Sequence, residues 1–363
     1  NKWLYPASWI YGAGVWLRNK LFDWGYYKER TFDLPIICVG NITVGGTGKT
    51  PHVEYMVKHL KDLFHVAVLS RGYKRKSKGF IIATSDTTMP KIGDEPFQMK
   101  QKFPDVTIAV DKSRCHGIEK LTDIDKTLDV ILLDDAFQHR YVKPGINILL
   151  VDYHRLVIYD TLLPAGRLRE PLTGKDRADI VIITKCPKDL KPMEFRVITK
   201  AMSLYPYQQL FFTTLEYGEL NPIFGDFGEL RELKNLKDYH ILLLTGIASP
   251  EQMTHDLTPL VKDITPLTFA DHHRFKAKDI QLINETFDQI PQPCCVITTE
   301  KDATRLYDIE GLSEKVRKNI YTLPVNIRFM QKQEDTFNQH IISYVRKNSR
   351  NSILAKTKDD HKP

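Results

Sequence analysis

A glycine-rich segment, GNITVGGTGKTP from Gly40 to Pro51, carries the residue types that bind phosphate. It follows the apolar run LPIICVG and precedes HVEYMVKHLKDLF, whose apolar residues recur with helical spacing. A glycine-rich turn between a strand and a helix directs backbone N–H groups and the positive end of the helix dipole at one anion. The segment therefore predicts a phosphate-binding loop, and the alternative is a glycine-rich turn with a chance lysine.

The side chains of this loop indicate how a nucleotide would be held. In the P-loop pattern G-x-x-x-x-G-K-[ST], the lysine reaches the β- and γ-phosphates and the hydroxyl binds Mg²⁺. Thr43 occupies the first glycine position, where the chain leaves the strand, so the departure weakens the pattern more than the chemistry. The predicted nucleotide-binding residues are Thr43, Val44, Gly45, Gly46, Thr47, Gly48, Lys49 and Thr50.

Two adjacent carboxylates supply the partner that a P-loop requires. The apolar run DVILLDD ends in Asp134 and Asp135. A carboxylate at the C-terminal end of a neighbouring strand reaches the Mg²⁺ that the P-loop hydroxyl also binds. We therefore predict Thr50 and Asp134 as metal ligands, with Lys49, Asp134 and Asp135 among the catalytic residues of a nucleotide-hydrolysing or nucleotide-transferring enzyme.

Two common P-loop classes fit the sequence less well. A GTPase needs [NT]-K-x-D to read guanine, and ITKCP has Pro187 where the aspartate should be. A membrane-partitioning ATPase carries an extra lysine before the paired glycines, where this chain has Val44. A membrane-associated ATPase that couples hydrolysis to a partner protein stays open as an alternative to a kinase.

Composition sets the wider limits. The chain has 363 residues, 42% of them hydrophobic, which is enough for a large core and favours two domains. The five cysteines lack C-x-x-C spacing and fit a reducing compartment. A net charge of +7 suits phosphates or anionic lipid, and without an aromatic RNA-binding motif or a basic repeat we expect no nucleic-acid partner.

Alternating strand-like and helix-like segments predict the fold. Apolar runs alternate with helical stretches from residue 35 to about residue 330, a pattern typical of a mostly parallel α/β sheet with helices on both faces. We expect a P-loop NTPase-like core with a second, smaller α/β domain. The predicted parts are an N-terminal helix in 1–30, the core in 31–150, a hinge in 151–172, the second domain in 173–345 and a disordered tail in 346–363.

The N-terminal segment has an unusual aromatic content. All four tryptophans, Trp3, Trp9, Trp16 and Trp24, lie in the first 24 residues, and seven-residue spacings place several apolar side chains on one helical face. The uncharged stretch is shorter than the roughly 20 residues of a membrane span. We predict a peripheral interfacial helix within residues 1–24, with nearby basic residues facing anionic lipid; a helix packed on the domain is the alternative. Those basic residues are Arg18, Lys20, Lys28 and Arg30.

Seven short motifs, in order between residues 39 and 305, resemble those of the tetraacyldisaccharide 4′-kinase family, the lipid A 4′-kinases of bacteria with an outer membrane. They are VGNITVGGTGKTP, LSRGYKR, GDEP, LLDDAFQHR, LPAGRLREPL, FADHHRF and TTEKDATR. The resemblance implies ATP- and Mg²⁺-dependent phosphorylation of an acylated glucosamine disaccharide 1-phosphate, giving the 4′-phosphorylated lipid. It also implies action at the cytoplasmic face of the inner membrane.

The same resemblance assigns residues on the acceptor side. It implies that Asp94 and His272 act as a pair near the acceptor hydroxyl, where a proton must be accepted during transfer. On local grounds alone, Asp94 would be read as a helix cap and His272 as part of a polar loop. The predicted substrate-binding residues are Glu95, Gln138, His139, Arg167, Arg169 and Arg71. The TTEKD segment, Thr298 to Asp302, receives no role.

Overall fold

The computed structural model describes residues 2–225, 230, 232–247, 250–271, 273–307 and 309–349. The chain divides into two compact units. The first unit contains residues 1–87, 99–215 and 327–363, and the second contains residues 88–98 and 216–326. The two units are therefore not consecutive halves of the chain.

Strands of four to nine residues supply most of both sheets. In chain order they are β1 (Ile36–Gly40), β2 (Val66–Ser70), β3 (Ile81–Ile82), β4 (Thr107–Val110), β5 (Val130–Asp134), β6 (Ile146–Asp152), β7 (Ile180–Thr184), β8 (Gln209–Tyr217), β9 (Asn221–Pro222), β10 (His240–Thr245), β11 (Asp263–Thr268), β12 (Cys294–Thr299), β13 (Ile320–Leu323) and β14 (Val325–Phe329). Within the described residues, nine strands form one sheet in the order β14-β8-β7-β6-β1-β5-β2-β4-β3, and five form another in the order β11-β10-β12-β13-β9.

Helices connect most of these strands. They are α1 (Tyr5–Asp23), α2 (Lys49–Leu60), α3 (Met89–Ile92), α4 (Asp94–Lys102), α5 (Arg114–Ile124), α6 (Pro192–Met202), α7 (Glu251–Leu257), α8 (Ala277–Gln289), α9 (Glu300–Leu306), α10 (Glu314–Lys318) and α11 (Glu334–Asn348). Short 3-10 helices cover Lys2–Leu4, Tyr153–Arg155, Val157–Tyr159, Leu172–Arg177, Leu233–Leu236 and Thr258–Leu260. The strand-and-helix alternation predicted from the sequence is confirmed.

The centre of the larger sheet explains where a site can form. Strand β1 is buried along its whole length and lies between β5 and β6, parallel to both. Strands β2, β5 and β7 are likewise buried throughout, because both faces of a parallel sheet are covered. The C-terminal ends of β1, β5, β2, β6 and β7 therefore meet at one edge, where ligands bind in open α/β sheets.

The predicted division of the chain differs from the observed one. The hinge predicted at 151–172 lies inside the first unit, because β6 pairs in parallel with β7 and β7 with β8, so the large sheet continues well past residue 172. The segment 88–98, predicted as part of the core, belongs to the second unit. Sequence periodicity identifies strands but not the sheet that each one joins.

The C-terminal boundary also differs from the prediction. Helix α11 continues through Asn348, with Val345 buried, so residues 346–348 form its last turn instead of a disordered tail. Residues 350–363 lie outside the described residues. The buried face of α11 consists of Phe337, Ile341 and Val345, so it ends immediately before the polar residues 346–348.

Candidate active site

The phosphate loop, residues 40–50, joins the end of β1 to the start of α2. Gly48 is the residue that precedes the helix, and its φ of 83° lies in the left-handed region that glycine adopts most readily. Gly45 has a φ of 110°, and a side chain there would be strained. Lys49 and Thr50 are the first two residues of α2, so the helix N-terminus predicted from the sequence stands beside the loop.

The structure explains why the loop accepts threonine at its first position. Thr43 forms an antiparallel bridge with Leu168, so its backbone is extended and needs no glycine. The Val44 N–H donates to the Arg167 carbonyl at 2.9 Å, and the Arg169 N–H donates to the Ile42 carbonyl at 2.7 Å. The PAGRLREP segment therefore lines the phosphate loop, which brings two predicted substrate-binding arginines to the predicted nucleotide site.

Asp135 lies between two cations at this edge of the sheet. Its Oδ1 is 3.7 Å from Nζ of Lys49 and accepts a hydrogen bond from Nη2 of Arg169 at 3.1 Å. Burial alone would raise the pKa of Asp135, but Lys49 and Arg169 outweigh it and hold the pKa below its ordinary value. Asp135 is therefore ionised at neutral pH and orients the loop lysine.

Asp134 is the last residue of β5 and pairs in register with Val39 of β1. It is 1% exposed, and Ser70 at the end of β2 donates to its Oδ2 at 3.0 Å. Arg114 donates from Nη2 to the backbone carbonyl of Asp134 at 3.1 Å. Two residues absent from the sequence-based site, Ser70 and Arg114, thus position the predicted metal ligand.

The donor set at this edge fits a magnesium–nucleotide complex. The side chains that the sequence assigns to the metal, Thr50 and Asp134, offer only oxygen, which is the ligand atom that Mg²⁺ prefers. Protein sites for this ion generally supply one or two carboxylates, and the phosphates supply further oxygens. The residues present are therefore of the right type for ATP with Mg²⁺.

The segment after β5 contributes Gln138 and His139 to the same region. Gln138 donates from Nε2 to the Asn41 carbonyl at 2.5 Å, so it contacts the phosphate loop directly. Burial, followed by the nearby Arg114, Arg18 and Arg71, lowers the pKa of His139 to about 4, so its ring is neutral at pH 7. Arg71 is exposed just beyond the end of β2.

Helix α1 packs beside this site through its polar face. The Ser8 hydroxyl donates to the Leu162 carbonyl at 3.0 Å, and the Tyr11 hydroxyl donates to the Arg169 carbonyl at 2.9 Å. Gly12 is buried against Leu162, where a Cβ atom would approach to 2.7 Å. The helix is therefore joined to the PAGRLREP segment that lines the phosphate loop.

The opposite face of α1 carries large side chains that are exposed. Trp9 is 74% exposed and Ile10 is 77% exposed, and Tyr5, Trp16 and Leu17 are exposed on the same helix. Trp3, in the preceding 3-10 helix, and Trp24, which follows Asp23, are exposed as well. The predicted clustering of these side chains on one face is therefore observed. No helix in the described part of the chain is both long enough and apolar enough to cross a membrane.

Three of the four basic residues predicted to face lipid contact other groups of the protein. Lys20 forms an ion pair with Asp23 at 3.6 Å. Arg18 donates to the Gln138 carbonyl at 3.0 Å, and Arg30 forms an ion pair with Glu119 at 2.6 Å. Their guanidinium groups bind a backbone carbonyl and a carboxylate from distant parts of the sequence. Residue spacing alone does not predict such contacts. The prediction that these basic residues face anionic lipid stays a prediction.

In the second unit, Asp94 is held by an arginine from a distant part of the sequence. Arg305 donates to Oδ2 of Asp94 from Nε at 3.0 Å and from Nη2 at 2.6 Å. Its Nη1 donates to Oδ1 of Asp302 at 2.8 Å. The other Asp302 oxygen accepts from the Gly246 N–H at 2.9 Å and from the Thr299 hydroxyl at 2.7 Å. Asp94 is the first residue of α4, and its carboxylate binds this arginine.

Lys301 extends this group of charges. Its Nζ is 3.1 Å from Oδ1 of Asp271 and 3.8 Å from Oε1 of Glu95. The GDEP, FADHHRF and TTEKDATR motifs therefore meet in one charged cluster, defined by Asp94, Glu95, Asp271, Lys301, Asp302 and Arg305. The TTEKD segment, which received no role from the sequence, supplies two members of it.

The predicted partner of Asp94 lies outside the described residues, since His272 is not among them. Its neighbour His273 contacts Oδ2 of Asp279 at 2.9 Å, and Asp279 also accepts the Lys276 N–H at 2.8 Å near the start of α8. The pairing of Asp94 with His272 therefore stays a prediction.

Sequence reasoning missed Arg305, Ser70 and Arg114. Ser70 and Arg305 stand inside motifs that were recognised, at the end of β2 and in α9. A polar residue in the last position of a buried strand is a signal that could have identified Ser70. Nothing local marks Arg305, whose contact with Asp94 spans 211 positions of sequence.

Comparison with known proteins agrees with this geometry. The family described as tetraacyldisaccharide-1-P 4′-kinase matches residues 1–346. A tetraacyldisaccharide 4′-kinase of Phocaeicola vulgatus is 62% identical over 360 residues, covering 98% of each chain. One from Bacteroides thetaiotaomicron is 55% identical over 371 residues, covering 99% of this chain and 97% of its own.

A solved structure is also similar. It is an "apo" form of LpxK from Aquifex aeolicus in complex with ATP, 30% identical, with a TM-score of 0.72, and it covers 95% of this chain and 99% of its own. The mostly parallel α/β architecture is thus shared with a kinase whose structure contains ATP. Given the family match over residues 1–346 and the relatives at 55–62% identity, the chain belongs to the tetraacyldisaccharide 4′-kinase family.

Proposed function

We propose that the protein transfers the γ-phosphoryl group of ATP to the 4′-hydroxyl of a tetraacylated glucosamine disaccharide 1-phosphate, a lipid A precursor. The observation that carries the proposal is a phosphate loop whose lysine meets Asp135, in a chain whose relatives are named for this activity. The family does not favour the alternative of a partner-coupled ATPase switch.

On the nucleotide side, the chain binds and orients phosphate. The loop amides and the N-terminus of α2 attract the phosphate oxygens, and Lys49 neutralises the charge that develops between the β- and γ-phosphates. Asp135 and Arg169 hold that lysine and the loop in place. Mg²⁺, held by Thr50 and Asp134, would neutralise phosphate charge during transfer.

On the acceptor side, the chain must accept a proton. As the 4′-oxygen forms its bond to the γ-phosphorus, the bond between that phosphorus and the bridging oxygen of ADP breaks, and the hydroxyl proton moves to a base. Asp94 is our candidate for this base, with His272 as its predicted partner. Arg305 binds Oδ2 of Asp94 through two nitrogens, which fixes the direction of the carboxylate.

A tetraacylated acceptor resides in a bilayer, so the enzyme must work at the membrane surface. We propose that α1 lies in the cytoplasmic interface of the inner membrane, with its exposed aromatic face among the headgroups. Its polar face supports this arrangement, because Tyr11 hydrogen-bonds Arg169 beside the phosphate loop. An interfacial helix attached there would keep the nucleotide site near the lipid.

The proposal is tested by following the γ-phosphate. Purified full-length protein is incubated with γ-labelled ATP, Mg²⁺ and acylated disaccharide 1-phosphate in detergent, and label is measured in the lipid and in inorganic phosphate. We expect acceptor-dependent label in the lipid and little in inorganic phosphate. Label released only as inorganic phosphate, independent of acceptor, would favour an ATPase.

A further inference from the structure

Three consecutive carbonyl oxygens of the phosphate loop accept hydrogen bonds from side chains outside residues 40–50. Two of these side chains stand at the C-terminal end of β7, and the third lies in α2. The pairs are Lys185 Nζ with Gly46 O, Thr184 Oγ1 with Thr47 O at 3.0 Å, and His52 Nδ1 with Gly48 O at 2.7 Å. These side chains therefore contact the loop on the side to which its carbonyl groups point.

The direction of these carbonyls fixes the direction of the amides. In a planar trans peptide, the C=O and the N–H of the next residue point in opposite directions. Holding the carbonyls of Thr47 and Gly48 therefore turns the N–H groups of Gly48 and Lys49 to the other side of the loop. The Thr47 N–H donates to the Gly45 carbonyl at 3.2 Å within the loop, and Lys185 holds the carbonyl of the same peptide.

Lys185 is itself held on two sides. Its Nζ lies 2.9 Å from Oδ2 of Asp152 at the end of β6, as well as contacting Gly46. The other Asp152 oxygen accepts the His154 N–H at 2.9 Å, so the carboxylate is fixed too. The Lys185 backbone is left-handed, with a φ of 57°, and its side chain extends from the end of β7 to the loop. Only 13% of the side chain is exposed.

We propose that Lys185 is a positioning residue that, with Thr184, fixes the phosphate loop in the conformation that binds the phosphates of the nucleotide. Lys185 acts through the Gly46 carbonyl and its ion pair with Asp152, and Thr184 acts through the Thr47 carbonyl. This inference rests on the proposed function, because it assumes that the loop binds ATP. It also assigns a role to the ITKCP segment. Pro187 stands where a guanine-reading motif has its aspartate, but Lys185 of the same segment binds the phosphate loop.

The test measures ADP affinity by calorimetric titration of the full chain with Mg²⁺ present. Lys185→Met keeps the length of the side chain but removes its charge and donors, and we expect about tenfold weaker ADP binding. Lys185→Arg should recover most of the affinity. Lys188→Met, which changes an exposed lysine of the same loop, is the matched control and should bind ADP as the parent does.

A second variant separates positioning from direct attraction of phosphate. Thr184→Val is close to isosteric and removes no charge, yet it leaves the Thr47 carbonyl without its donor, so it should also weaken ADP binding several-fold. Both variants should raise KM for ATP while KM for the lipid acceptor stays within about twofold. Should Lys185→Met fail to fold, Thr184→Val decides alone.

The outcomes distinguish the inference from the proposed function. Parent-like ADP affinity in both variants would overturn the inference. The inference would also be overturned if Lys185→Met bound ADP more weakly and Thr184→Val bound it like the parent. The lysine would then act by its charge and not through the loop. If the parent protein itself does not bind ADP, the proposed function fails first.

Discussion

The phosphate loop and the charged cluster are built in opposite ways. The loop is one continuous stretch, residues 40–50, whose shape follows from glycines and from the strand and helix on either side. The cluster joins side chains from three separate segments, and its central contact links Asp94 with Arg305. A site made of contiguous backbone can be read from sequence, whereas a site made of distant side chains requires the fold.

The two regions also differ in what their charges do for stability. Lys49 and Asp135 are partly exposed, with 16% and 34% of their side chains accessible, and their ion pair is long at 3.7 Å. Arg305 is 2% exposed and Asp302 is completely buried, with 2.8 Å between them. We expect substitutions in the loop to affect nucleotide binding and turnover but not folding, and substitutions of the buried arginine to affect folding as well.

The largest effect should come from the loop. Lys49→Ala removes the loop cation that meets the transferring phosphate, and turnover should fall on the order of a thousandfold while the melting temperature stays near that of the parent. Phosphate transfer to lipid and thermal unfolding measure the two quantities. Activity within a few-fold of the parent would exclude the assigned role of Lys49.

Substitution of the buried Arg305, unlike that of Lys49, should lower stability. Arg305→Met leaves Asp302 buried without its cation, and the free energy of unfolding should fall by about 3 kcal/mol. Urea unfolding followed by circular dichroism is suitable, because all four tryptophans lie in the first 24 residues and would report only on that region. Lys315→Met, which breaks an exposed ion pair with Asp288, is the control and should cost less than about 1 kcal/mol. Equal losses of unfolding free energy in Arg305→Met and Lys315→Met would contradict the expected difference between the buried and the exposed ion pair.

The third prediction concerns the proposed base within the charged cluster. Asp94→Asn keeps the shape and an oxygen for Arg305 but cannot accept the acceptor proton, so transfer should fall about a hundredfold. ADP affinity should be unchanged, because the nucleotide is held by the loop. An Asp94→Asn protein that melts lower and phosphorylates lipid at the parent rate would assign Asp94 a structural role only.

A buried histidine behind the loop predicts a pH dependence of stability. Burial lowers the pKa of His52 to about 4, although its hydrogen bond to the Gly48 carbonyl acts the other way. Because the unfolded chain binds this proton more readily, stability is lost as pH falls from about 6.5 toward 4. Between pH 7 and pH 5 the parent should lose about 2 kcal/mol more than His52→Gln. If urea unfolding shows that the parent and His52→Gln lose the same free energy of unfolding between pH 7 and pH 5, His52 is not buried in its neutral form.

The smallest effect on chemistry should come from α1. Replacing Trp9 and Trp16 by serine removes two exposed aromatic side chains, and binding to anionic liposomes should weaken about tenfold while ADP affinity is retained. The control replaces Leu63 and Met193, exposed apolar residues outside α1, by serine. If both double variants sediment with liposomes like the parent, α1 is a packing element only.

Local patterns were enough to predict the loop, a helix start near Gly48 and the carboxylates at the end of β5, because each depends on neighbouring residues. They could not predict that β7 and β8 extend the first sheet, since strand pairing is decided between segments far apart in sequence. They also could not predict that Arg18 binds the Gln138 carbonyl, because helical periodicity gives a face but not its neighbour.

The position of the transferred phosphate tests the central claim most directly. Lipid product made by the parent protein from ATP and the acylated disaccharide 1-phosphate is purified, and phosphorus–proton correlation by NMR identifies the oxygen that carries the new phosphate. The account predicts a phosphate ester at the 4′-oxygen and none in a parallel reaction with Lys49→Ala. A phosphate on another oxygen, or consumption of ATP with no phosphorylated lipid, would contradict it.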